Sequence, residues 1–101
     1  MSQLAYIRNL TSQIYKMLPM SDSDELIERM HLKEFINSII VQIDGSLLTF
    51  PNLSSDEDYI IIMNILHYWD SNDIKLIPFK REVRKMMRCL NRIELRCSAN
   101  E

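Results

Sequence analysis

Apolar residues recur every three or four positions in four segments of the chain, which predicts four helices. The first segment covers residues 3–18, and Pro19 should end its helix. The second runs to about Asp44 with apolar positions at i, i+3, i+4, i+7, i+8 and i+11. Gly45 follows, and the sequence predicts that this single glycine terminates the helix in a left-handed conformation.

The second half of the chain predicts two further helices after an apolar connector, residues 46–54. The connector should pack on the bundle because it is too apolar for a free loop, although a partner site is the alternative. Ser54 and Glu57 have the spacing of a capping box for the third helix. Its apolar run also suits a buried strand, but the cap and the missing hairpin partner favour helix. The fourth helix should begin near Pro78.

The predicted third helix is apolar on nearly every side, and the first has a seam resembling two heptads of a coiled coil. Because one small domain rarely surrounds a helix completely, these surfaces predict an oligomer. The expected fold is all-α, a single domain over residues 1–101 with about four helices, forming a homodimer. The predicted oligomer interface consists of Ile7, Leu10, Ile14, Met17, Ile62, Met63, Leu66 and Trp69.

The distribution of charge along the chain is more informative than its overall composition. Residues 75–97 carry eight of the twelve Lys and Arg, whereas residues 20–73 hold eleven acidic residues against two basic ones. On a helical projection the basic side chains lie opposite the apolar stripe of the fourth helix. The predicted partner-binding face consists of Arg81, Arg84, Lys85, Arg88, Arg92 and Arg96. It could be a solvated face, docked on the chain's own acidic surface or on that of a second subunit. It could instead contact an acidic protein or nucleic acid, the last only weakly because the remainder is acidic.

Several function classes are disfavoured by what the sequence lacks. One glycine cannot build a GxGxxG motif or a P-loop, so no cofactor is expected. The longest apolar run, Tyr59–Met63, is far short of the ~20 residues of a membrane span, and no secretory signal is evident. Cys89 and Cys97 are about 12 Å apart on one predicted helix, too far for a disulfide. The chain therefore reads as reduced and cytoplasmic.

Candidate catalytic or metal-binding chemistry is also weak. Glu28, His31 and Glu34 share a helix face, but such surface triplets are common, so no metal site is predicted. The acidic residues 56–58 suit a helix N-terminus better than Ca²⁺ binding or catalysis. The basic neighbours of the two cysteines could lower a thiol pKa, although core packing is the stronger expectation. No catalytic residue is predicted, and we expect a non-enzymatic binding protein.

From residue 25 to about 93 the chain resembles the small enterobacterial regulators of the YmgB/AriR biofilm family. The matching features are the helix LKEFINSIIVQI, Gly45, the apolar run YIIIMNILHYW, the DSND break and a closing helix with VRKMMRCL. The N-terminal seam helix and the connector at 46–53 depart from that pattern. The resemblance implies a dimeric all-helical regulator that connects to a histidine-kinase phosphorelay or acts through DNA. It implies no catalytic residues. A phage or mobile-element inhibitor, or an immunity protein, is the rival class.

Overall fold

The computed structural model describes residues 2–18, 26–72 and 78–100, and this part of the chain is helical with no strand. The helices are α1 (Gln3–Tyr15), α2 (Leu26–Thr49), α3 (Glu57–Ser71) and α4 (Phe79–Asn100), with a short 3₁₀ helix (Pro51–Ser55) before α3. The all-α prediction is confirmed. Within the described ranges no helix combines the length and the apolarity that crossing a membrane requires.

One apolar core holds the bundle together. Helix α4 packs against both α1 and α3, and α2 packs against α3 and the 3₁₀ helix. Each helix contributes the apolar stripe that its sequence predicts, so the core is lined from four directions. Side chains with at most 1% of their surface exposed include Ile7, Leu10, Ile14, Leu32, Ile39, Tyr59, Ile62, Leu66, Trp69, Val83, Met86 and Leu90.

Helix α1 begins with a side-chain cap and ends earlier than expected. The hydroxyl of Ser2 accepts a hydrogen bond from the backbone N–H of Ala5 at 3.1 Å, which satisfies one orphan donor of the first turn. The helix ends at Tyr15, a turn residue follows at Lys16, and residues 17 and 18 are helical again, so the predicted range 3–18 is interrupted only at Lys16. Pro19, the predicted stop, lies outside the described residues.

The prediction that Gly45 ends the second helix is wrong. Helix α2 continues through it to Thr49, and no glycine in the described ranges has a positive φ. The helix continues because the next turn has contacts to make: Ser46 is buried and Leu47 is half-buried against the core. Packing of this turn outweighs the ~1 kcal/mol that glycine costs in a helix interior relative to alanine.

Replacing Gly45 with alanine should therefore stabilise the protein by about 0.5 to 1 kcal/mol. Gly45 is exposed in a continuous helix, and a Cβ added there meets no atom within 4 Å. The gain should appear as a higher midpoint in urea denaturation followed by circular dichroism. A loss of stability would instead show that the helix does not pass regularly through residue 45.

The start of α3 also differs from the prediction. Ser54 does not cap the helix, because it lies in the 3₁₀ segment and its hydroxyl donates to the carbonyl of Pro51 at 2.7 Å. Asp56 is the N-cap, and its Oδ1 accepts from the backbone N–H groups of Asp58 and Tyr59 at 3.0 and 3.1 Å. The expectation that the acidic residues 56–58 form a helix N-terminus is confirmed.

The apolar connector packs on the bundle, as expected, except at one position. Leu53 is fully buried, and the Phe50 ring stacks on Tyr6 with centroids 5.6 Å apart. Leu47 is half-buried. Leu48, by contrast, has 87% of its surface exposed, because the extra helical turn directs it away from the core.

A buried chain of hydroxyl groups links three parts of the bundle. The Tyr59 hydroxyl in α3 hydrogen-bonds to the Tyr6 hydroxyl in α1 at 2.8 Å and to the Ser46 hydroxyl in α2 at 2.6 Å. The Ser46 hydroxyl also donates to the carbonyl of Ile43 at 2.6 Å. Burial raises the pKa of Tyr59 well above its usual value, so the phenol stays neutral and these polar atoms are satisfied inside the core.

Candidate functional site

The cationic side of α4 is divided into two parts with different contacts. We call Asp56, Asp58, Arg92 and Arg96 the arginine clamp, and Arg81, Arg84, Lys85 and Arg88 the outer basic face. The clamp consists of ion pairs between α3 and α4 within this chain. The outer basic face lies one to three turns nearer the N-terminus of the same helix.

In the clamp, two arginines hold the first turn of α3. Arg92 donates through Nε and Nη2 to Oδ1 of Asp58 at 3.0 and 2.8 Å. Arg96 donates through Nη1 to Oδ2 of Asp58 at 2.9 Å and through Nη2 to both carboxylate oxygens of Asp56 at 2.9 and 2.8 Å. Asp56 therefore caps α3 and binds α4 with the same carboxylate. This arrangement fixes the end of α4 against the start of α3.

The two carboxylates of the clamp are well covered, with side chains only 12% and 18% exposed for Asp58 and Asp56. Hydrogen bonds from Arg92 lower the pKa of Asp58 below its usual value; burial opposes that effect, and Arg96 adds to the lowering. A carboxyl whose folded-state pKa is depressed contributes stability above its unfolded pKa of about 3.9, and that contribution is lost as the pH falls through the folded value. The clamp should therefore stabilise the fold at neutral pH.

Replacing Asp58 with asparagine should lower the free energy of unfolding by about 1 kcal/mol at pH 7, since two charge-assisted pairs with half-exposed arginines are lost. The deficit should begin to shrink as the pH falls below about 4 and disappear below the folded-state pKa of Asp58, where the wild-type carboxyl is also protonated. Urea denaturation at several pH values measures both effects. Asp70→Asn, at an exposed position near the other end of α3, is the matched control and should change stability little. A pH-independent deficit would contradict the ionic role of Asp58.

Among the described residues, the outer basic face has no comparable carboxylate partners. All four side chains are exposed, and among the described residues Arg84, Lys85 and Arg88 form no ion pair or side-chain hydrogen bond. Arg81 has only its sequence neighbour Glu82, with Nη2 and Oε1 3.7 Å apart. Val83 and Met86, on the opposite side of the helix, are fully buried, so the cationic groups stand on a backbone anchored to the core.

The sequence predicts that the six basic residues form one face. It does not predict that two of them, those of the clamp, are paired within the chain. The order of the helices along the chain does, however, indicate the clamp. Two helices joined by the short segment 72–78 pack antiparallel, which brings the start of α3 beside the end of α4. That arrangement places the acidic cap near Arg92 and Arg96 rather than near Arg84. The expectation of contact with the chain's own acidic surface is thus confirmed for these two arginines.

The oligomer interface predicted on the first and third helices is wrong, because nearly all of its side chains are buried inside the single chain. Seven of its eight members have at most 1% of their surface exposed in a single chain: Ile7, Leu10, Ile14, Met17, Ile62, Leu66 and Trp69. Met63 is half-buried. Side chains that the bundle itself covers have no area to offer a second chain. Self-association stays a prediction, and its contacts must lie outside these seven side chains.

The remaining candidate residues, cysteines and histidines, do not form a catalytic or metal-binding site in the described part of the chain. Cys89 and Cys97 are both buried, as the preferred expectation of core packing predicts, and burial raises the pKa of the Cys89 thiol, with Asp58 adding to it. His67 lies 3.8 Å from Asp44 in an exposed pair, and His31 is exposed. Within the described ranges no three His, Cys, Asp or Glu side chains are grouped to hold a metal ion.

Comparison of the chain with protein-family models, with curated proteins and with solved structures gives no match. The functional assignment therefore depends on the geometry of α4 and its neighbours.

Proposed function

We propose that this chain is a small non-enzymatic regulatory protein that acts by binding an acidic protein through the outer basic face of α4. The observation that carries the proposal is the division of the cationic helix. Arg92 and Arg96 are paired within the chain, whereas Arg84, Lys85 and Arg88 have no ion-pair partner among the described residues. Charges that no described residue neutralises are available for recognition.

The shape of the outer basic face supports recognition of a protein. Residues 81–88 extend over about 10 Å of a helix whose other side is packed into the core. The positions of the charges are therefore set by the fold, and binding costs only the ordering of side chains. Such an array steers an acidic partner during encounter and sets the register of the complex.

Charge balance favours an acidic protein over a nucleic acid. Helix α4 carries seven basic residues against two acidic ones, yet the whole chain has a net charge of −2. The acidic remainder repels an extended phosphate backbone, whereas a compact acidic patch can meet α4 alone. We therefore expect only weak, non-specific DNA binding that falls steeply with salt; a sequence-specific nanomolar complex at physiological salt would overturn this preference.

The regulatory part of the proposal is supported by the resemblance to YmgB/AriR regulators, which covers residues 25 to about 93. The non-enzymatic part is supported by the causes of the pKa shifts at three titrating groups. Asp58, Tyr59 and Cys89 are shifted by ion pairing or burial in the fold, which accounts for them without a catalytic role. A phage or mobile-element inhibitor that neutralises an acidic partner would use the same face, and the identity of the captured protein distinguishes the two.

The proposal is tested by affinity capture with paired charge reversals. Arg84→Glu with Arg88→Glu should reduce capture of the partner at least tenfold, because two of the four cations of the outer basic face are reversed. Lys16→Glu with Lys33→Glu is the control: both lysines are exposed, lie off α4, and change the net charge by the same four units. The control should retain the partner. If both double variants capture it equally, the outer basic face is not the binding surface.

With the captured partner purified, association kinetics give a second reading of the same variants. Loss of steering charges should slow association more than it speeds dissociation, and raising the salt concentration should weaken the wild type more than the double variant. Equal salt dependence of the two would contradict an electrostatic role for Arg84 and Arg88.

A further inference from the structure

An exposed leucine continues the outer basic face along α4. Leu95 has 64% of its surface exposed, whereas Val83, Met86 and Leu90 on the opposite side of the helix are fully buried. At 100° per residue, Arg84, Arg88 and Leu95 lie within about 40° of one another around the helix axis. The two cations and the apolar side chain therefore share one line on the outer side of α4, about 16 Å long.

A groove between α1 and α4 borders this line. It is lined by Thr11, Met87, Arg88, Asn91 and Glu94, so Arg88 belongs to both the groove and the outer basic face. Glu94 is the one acid among the described lining residues, and it is paired with Arg8 of α1, with Arg8 Nε and Glu94 Oε1 3.0 Å apart. Its charge is thereby compensated and opposes an incoming carboxylate less. The groove offers the half-buried thioether of Met87 and the amide of Asn91 beside the cations.

We infer that the partner presents an acidic amphipathic helix, which lies along α4 with carboxylates on Arg84 and Arg88 and an apolar side chain on Leu95. This inference rests on the proposed function and specifies its ligand. A helical partner fits this line of α4. Arg84 and Arg88 are four residues apart and Leu95 follows seven residues later, so groups at the same helical spacing on the partner can meet them. About three turns of the partner span the 16 Å line. A phosphate backbone has charge but no apolar group for Leu95, which makes nucleic acid the alternative outcome.

The test uses synthetic probes, because the spacing of carboxylates and leucines is what the inference specifies. The first probe is a fluorescent 15-residue peptide of Glu, Ala and Leu with the acids on one helical stripe and leucines continuing it. The second has the same composition in scrambled order, and the third is a 20-base-pair DNA duplex. Fluorescence anisotropy at physiological salt gives each affinity. The patterned peptide should bind at least fivefold more tightly than the scrambled one.

Two variants separate the apolar contact from the charges. Leu95→Ser should weaken the patterned peptide about five- to tenfold and leave the scrambled peptide and DNA unchanged. Leu48→Ser, the same change at an 87% exposed leucine on α2, is the matched control and should leave all three probes unchanged. Because both leucines are exposed, both variants should retain the wild-type circular dichroism spectrum.

The outcomes distinguish this inference from the proposed function. If Arg84→Glu with Arg88→Glu weakens both peptides, while Leu95→Ser and scrambling change nothing, the basic face binds acids but no amphipathic helix, and the inference is overturned. If the double charge reversal changes no peptide affinity, the proposed function fails with it. Tighter binding of the DNA duplex than of the patterned peptide would assign the face to nucleic acid instead.

Discussion

Replacing Trp69 with alanine should lower the free energy of unfolding by about 3 to 5 kcal/mol. Trp69 is 1% exposed near the end of α3, and its ring stacks on Phe79, the first residue of α4, with centroids 4.5 Å apart. The substitution removes this stacking contact between the end of α3 and the start of α4. It also leaves a large cavity, which the helix ends cannot close without losing their other contacts.

Urea denaturation followed by circular dichroism measures this loss, and the neighbouring residue supplies the control. Tyr68 is also aromatic but 59% exposed, so Tyr68→Ala should change stability by less than about 1 kcal/mol. If Trp69→Ala were no more destabilising than Tyr68→Ala, the stacked pair would not be part of a packed core.

Ile14→Asp should unfold the isolated chain rather than dissociate a dimer. Ile14 has no exposed surface within the single chain, so an aspartate there has to place a carboxylate among apolar side chains. The cost is on the order of 4 kcal/mol or more, comparable with the whole stability of a small domain. Circular dichroism should therefore show loss of helix at every protein concentration.

Tyr15→Asp, at the next position, is the control, because Tyr15 is 60% exposed and the variant should stay folded. Sedimentation equilibrium of both variants completes the test. A folded, monomeric Ile14→Asp protein derived from a dimeric wild type would contradict the core position and restore the interface that the sequence predicts.

The helices themselves are largely predictable from the sequence, because their apolar periodicity is what the core requires. The boundaries are not, since they depend on competition between local signals and packing. At Gly45 the glycine favours a terminus, but the burial of Ser46 beside Tyr59 extends the helix by another turn. At the start of α3, Ser54 and Asp56 are both favourable N-cap residues. The 3₁₀ helix that buries Leu53 includes Ser54, so Asp56 becomes the N-cap.

The same distinction applies to the candidate site. Helical periodicity places all the basic residues of α4 away from the core, but it cannot show which of them meet a carboxylate. The Arg92–Asp58 and Arg96–Asp56 pairs join residues 34 and 40 positions apart, so they exist only once α3 and α4 have packed. The predicted oligomer interface fails for a related reason: an apolar helix surface does not reveal whether its partner is the same chain.

We propose that the end of α4 stabilises the fold while its outer basic face remains available for a partner. Comparing the free energies of unfolding of two double charge reversals tests it most directly. Arg84→Glu with Arg88→Glu should stay within about 0.5 kcal/mol of the wild type. Arg92→Glu with Arg96→Glu makes the same change in charge on the same helix. It should be clearly less stable, because glutamates would then face Asp56 and Asp58. Equal stability losses in the two variants, or a larger loss in the first, would contradict the division of α4.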